Sequence, residues 1–196
     1  KESFTIFFHL YIIKFIEKNL NLNYIIRMNN NLTKTKENNK NHFKLYLLLS
    51  FVIPFIILFL AYTLNGIGFL GNKSVLVGDL RDQYVNFYSQ YQTILRSGDF
   101  SKLLYSWSLG FGGNFLGLFT YYLASPVSLL VLLFPKDQLA AAMEFMILVK
   151  VSLASLTFFI YIKYVYKRVS LMSVLFSTRY GLMSYAGVFS LDLMWL

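Results

Sequence analysis

The chain has 196 residues, 57% of them hydrophobic and only 14% charged, where soluble domains carry roughly 25% charged residues. Its 20 Phe and 15 Tyr help bring aromatics to 19%, which excludes an ordinary soluble globule and suits a membrane protein with interfacial rings. There is no Cys, and the two His (His9 and His42) precede the apolar segments. Disulfides, thiolate metal sites and a Ser-His-Asp triad within the membrane part are therefore excluded, and the net charge of +9 reads as a topology signal, since no nucleic-acid motif accompanies it.

Residues 1–44 read as a cytoplasmic N-terminal segment. Lys1 to Arg27 is rich in Ile, Phe, Asn and Lys, like a translated AT-rich leader, and the first Met is Met28. The expectation is that the native start is Met28 and that 1–27 is not native. The other reading is an interfacial helix over Phe4–Ile16, too short and too charged to span. A secretory signal is not indicated, because Glu17 and an Asn-rich run follow and no small-residue cleavage site is present.

Leu45 to Leu64 is 20 residues without a charge, which matches the hydrocarbon thickness at 1.5 Å per residue. This is the first expected span, with Pro54 tolerated inside it. Lys34, Lys36, Lys40 and Lys44 precede it, so its N-terminus is expected in the cytoplasm and the following loop, 65–138, outside.

That loop carries the candidate chemistry. VLVGDLRDQYVNFYSQY ends at Tyr91, and Asp79 and Asp82 lie three residues apart in it. Leu80, Tyr84, Phe87, Tyr88, Tyr91, Ile94 and Leu95 form the stripe of an amphipathic helix. Asp79 suits its N-cap, Asp82 its first turn, and Ser97-Gly98 its end. The plain reading of the two acids is helix punctuation. The functional one is a carboxylate beside a membrane span, meeting the head group of a lipid-linked substrate. SWSLGFGGNFLG, Ser106 to Gly117, lacks the ending and preceding strand of a phosphate loop and reads as a close-packing turn.

Asn114 to Phe134 has no charge but is interrupted by Gly117 and Ser125-Pro126. If it spans, the later cluster Lys163, Lys167, Arg168 lies outside. If it is re-entrant or juxtamembrane, the cluster lies inside, and this second option fits the positive-inside rule. The second span is then 139–162, 163–170 a cytoplasmic loop, and 171–196 a third span cut short. Lys150 and Arg179 fall within spans. A cation there is costly, so each reads either as functional or as a structural pair with Glu144 or Asp192. Asp192 itself falls on the same side as Asp79, and its plain reading is a carboxylate wetted by the interface.

The ordered set GDLRDQY, SGDF, SWSLGFGGNFLG, YYLASPVSLLVLLFP, a span containing a lysine and SYAGVFSLDLMWL resembles the YfhO family of bacterial multi-span membrane proteins, over roughly Val75 to Leu196. The resemblance implies an all-α, polytopic fold of GT-C type, with a long first extracytoplasmic loop of juxtamembrane helices. It also implies a longer protein, of which this chain would be an N-terminal fragment that is inactive alone. The implied activity is sugar transfer from a polyprenyl-phosphate carrier to a cell-envelope glycopolymer such as teichoic acid.

Carried over, Asp79 matches the loop aspartate of a D-x-x-x-Q-Y pattern completed by Gln83 and Tyr84, and Lys150 a lysine of the second span. Asp82 is the second catalytic candidate. Gln83, Tyr84, Arg96 and Lys150 are the expected substrate-binding residues, the two cations to steady the leaving phosphate. The expected partners are the carrier-linked sugar, the glycopolymer and the bilayer, with no nucleic acid. No cofactor is implied, and a divalent ion at Asp79 and Asp82 would need further oxygen ligands. The competing readings are a transporter or flippase, whose path Lys150, Arg179 and Glu144 would line, and a non-catalytic scaffold.

Overall fold

The computed structural model describes residues 22–108, 111–167 and 169–194. The expected interfacial helix over Phe4–Ile16 lies outside them, as does most of the expected leader. Two compact units are distinguished, 1–44 and 45–196. Among the described residues there are helices and two isolated bridges but no strand, so the protein is an all-α membrane protein.

Helix α1 runs Leu22–Leu64, and its apolar part, His42–Leu64, is long and apolar enough to cross a membrane. Leu48, Ile56, Ile57 and Leu60 are exposed on it, as a lipid-facing surface requires. The chain then folds back through a locked turn. Gly68 N–H donates to Lys73 O at 2.8 Å and Lys73 N–H to Gly66 O at 2.9 Å. A side chain on Gly71 would strike the Gly66 backbone at 2.1 Å.

The amphipathic helix starts with a π turn, Leu80–Tyr84, in which the Val85 N–H reaches back to the Leu80 carbonyl, and continues as α2, Val85–Ser97. Of the expected stripe, Leu80, Tyr84, Tyr88, Tyr91 and Ile94 are buried, while Phe87 and Leu95 are half-buried. Gly98 ends α2 at φ 69°, the left-handed cap that glycine adopts without strain. Asp79 occupies the N-cap position but its side chain makes no capping bond. A short helix α3, Ser101–Leu104, leads into the glycine-rich turn, which Ser106 and Gly113 close by exchanging two 2.9 Å backbone hydrogen bonds.

Residues 115–133 form a bent pair. Helix α4, Phe115–Leu118, passes into a second π turn, Phe119–Leu123, and a 3-10 helix follows at Pro126–Leu133. The bend between the two arms is 98°, and it falls at the Ser125-Pro126 break the sequence marks. Polar side chains of α2 at four-residue spacing secure the second arm. The Tyr88 hydroxyl bonds Ser128 Oγ at 2.9 Å, Gln92 Nε2 donates to Val131 O (2.9 Å) and Phe134 O (2.7 Å), and Arg96 Nη2 donates to Phe134 O at 2.6 Å. Gln92 and Arg96 thus tie α2 to carbonyls at the end of the 3-10 helix.

The second crossing helix is α5, Leu139–Tyr166, and the candidate span including its lead-in is Lys136–Tyr166. After Ser170, which caps the next helix, the segment 171–196 is not one long helix. It is α6, Leu171–Gly181, then α7, Ser184–Val188, then a 3-10 turn, Phe189–Leu191. Helix α6 packs along α5 so closely that a Cβ on Gly181 would meet Ser155 Cβ and Val151 O at 2.9 Å. The expected outward span is thus divided, and its last part folds back against the middle of α5.

Candidate functional site

The two π turns meet. The Tyr84 and Tyr122 rings stand edge to face at 5.3 Å, and the Tyr122 hydroxyl donates to Gln83 Oε1 at 3.1 Å. The other end of that amide, Gln83 Nε2, donates to Asp79 Oδ1 at 3.3 Å. Widened turns of this kind push side chains out of helical register and recur at functional sites. The Tyr84 hydroxyl accepts a bond of 3.2 Å from the Met194 N–H. Burial raises the Tyr84 phenol above its ordinary range, and the nearby Asp192 adds to this. Burial likewise pushes the Tyr88 phenol up to about 12.

The returning segment brings Asp192 onto Asp79. The Asp192 carboxyl is held above the usual carboxylate range, by burial first and then by hydrogen bonding to and the charge of Asp79. A carboxylate neighbour disfavours the charged form of Asp192. One residue after Asp192, the Leu193 carbonyl accepts a bond from Lys150 Nζ of α5. Lys150 also lines an open cleft of about 460 Å³ between α5 and the bent pair, with Thr120, Tyr121, Tyr122, Thr157 and Met194 among its walls.

Of the residues expected at the site, Asp79 and Gln83 are bonded to each other, while Tyr84 and Lys150 bond the returning segment at Met194 and Leu193. Two others do neither. Asp82 is exposed and held by Arg81, Nε to Oδ1 at 2.9 Å, and the Arg81 hydrogen bond keeps its carboxyl below the ordinary range. Arg96 is 13 positions beyond Gln83, about 20 Å along a helix, and its guanidinium is engaged at the Phe134 carbonyl. That correction follows from helix length: Arg96 is a tie between α2 and the bent pair, away from Asp79. Arg179 is exposed on α6. The ion pairs among the described residues are Arg81–Asp82 and Lys102–Asp99, so the expected pairing of Lys150 with Glu144 or Asp192 is not among them.

Asp192 and Tyr122 are the participants the sequence reading did not select. The only signal for Asp192 is that it falls on the same side as Asp79. For Tyr122 there is none, because its position depends on the 98° bend. Among the described residues no three His, Cys, Asp or Glu side chains gather at one point. A divalent ion at the Asp79–Asp192 pair would therefore need oxygen ligands from elsewhere.

A family model described as bacterial membrane protein YfhO matches residues 50–196. No curated protein and no solved structure matches the chain.

Proposed function

The chain belongs to the YfhO family of bacterial membrane proteins, and from that premise we propose a membrane glycosyltransferase that moves a sugar from a polyprenyl-phosphate carrier to a cell-envelope glycopolymer on the outer face. The observation that carries this reading is that the returning segment brings Asp192 to Asp79 and, at the next residue, meets Lys150, which lines the cleft between α5 and the bent pair. Lys34 to Lys44 before the first span and Lys163 and Lys167 after the second lie on one side when the bent pair does not cross. Positive charge retained inside then puts Asp79 outside.

In this mechanism Asp79 accepts the proton of the acceptor hydroxyl as general base while that oxygen attacks the anomeric carbon. General-base help of this kind is worth roughly 10²–10⁴-fold. The bond from the anomeric carbon to the phosphate oxygen breaks, and charge develops on the departing prenyl phosphate. Lys150 stabilises it. An ammonium carries three N–H donors, and the Leu193 carbonyl takes one. Gln83 orients Asp79, and the apolar wall of the cleft takes the first isoprene units and excludes water. Asp82 and Arg96 have no role in this scheme.

The test is Asp79→Asn in the full protein. Transfer to envelope glycan should fall at least about a hundredfold while the protein still inserts. Wild-type glycan decoration in that strain would end the assignment.

A further inference from the structure

A second cleft, of about 480 Å³, lies at the ends of both candidate spans, between the locked turn after α1 and the start of α5. Its floor holds Glu144, which is 1% exposed. One carboxylate oxygen, Oε2, accepts the Phe69 N–H at 2.9 Å. No ion pair reaches Glu144 among the described residues. A buried carboxylate within a membrane helix is costly unless a partner offsets it, and one neutral N–H is a small offset for a full charge. The turn above it is preformed. Gly68, at φ 83°, lies directly on the carboxylate, and any side chain there would strike Oε2 at 2.0 Å. Lys73 and Asn72 also line the cleft.

We propose that this cleft is a lipid site, separate from the Asp79–Asp192 pair, that takes a zwitterionic phospholipid head group of the ethanolamine type. Its primary ammonium meets the Glu144 carboxylate and its phosphate meets Lys73. A single carboxylate with a lysine on the same wall suits a paired cation and anion better than a bare metal ion, which would be repelled by the lysine. A primary ammonium can also donate hydrogen bonds to the carboxylate, which a trimethylated one cannot. The position fits, because head groups lie where spans end.

The experiment uses the full protein in nanodiscs with equal phosphatidylethanolamine and phosphatidylglycerol, and native mass spectrometry of the retained lipid. Wild type should retain phosphatidylethanolamine preferentially, and Glu144→Gln should lose that preference about tenfold, the loss of one charge-assisted contact. Lys73→Gln, on an exposed turn, should weaken retention also. No preference in wild type overturns the proposal, and so does a Glu144→Gln protein of wild-type melting temperature that keeps it. If Glu144→Gln does not fold, unchanged preference in Lys73→Gln overturns it. Equal displacement by soluble phosphoethanolamine overturns the lipid as source. Asp79→Asn should leave retention untouched, so failure here does not touch the transferase reading.

Discussion

Tyr122 decides which way the Gln83 amide points. Its hydroxyl donates to Oε1, so the NH₂ end must face Asp79. Replacing Tyr122 with Phe removes that instruction and lets the amide turn its oxygen toward a carboxylate. Transfer should drop about tenfold, with stability changed by only about 1 kcal/mol, the worth of one hydrogen bond. Kinetics and a melting curve on one preparation separate the two effects. Asp192 gives a prediction in pH. Its carboxyl is raised in the folded protein, so folding favours its protonated form. The stability it contributes is fully present below the unfolded carboxyl pKa and is lost as pH rises through the raised value. Asp192→Asn should therefore melt higher than wild type at neutral pH, and the gap should close on acidification. A gap that widens in acid would contradict a raised Asp192 carboxyl.

At the scale of elements, the amphipathic helix was legible because burial of one face imposes a period, and the crossing helices because an apolar run must match the bilayer. The π turn at Leu80–Tyr84 was not legible, since one extra residue in a turn leaves the apolar stripe almost unchanged. Nor was the division of 171–194. Its composition is as apolar as a span, and α6 ends at Gly181, where the chain packs closely on α5. Two substitutions probe these joints. Gln92→Ala removes both bonds to the Val131 and Phe134 carbonyls and should cost about 1–3 kcal/mol, with a lowered melting temperature and no change in insertion. Gly181→Leu forces a side chain into Ser155 and Val151 and should cost a similar 1–3 kcal/mol by overpacking, roughly the loss seen in filled cores.

At the scale of the molecule, the site was half readable. Asp79, Gln83, Tyr84 and Lys150 stand out because each is a polar group in an apolar setting. Asp192 could not be assigned, because nothing local tells a carboxylate at a membrane boundary which other carboxylate it will meet. Topology follows from the same frame. A cysteine at 79 should react with an impermeant thiol reagent added from outside, and one at Lys163 only after permeabilisation; the reverse pattern would invert the molecule. The Tyr84 hydroxyl and the Met194 N–H that closes over it are 110 residues apart, and Lys150 waits 43 residues for Leu193. A membrane protein is released to the bilayer from its first residue onward. A nascent chain that has released only α1 and α2 therefore carries Asp79 without Asp192. The meeting of the two acids must wait for 113 further residues of synthesis after Asp79.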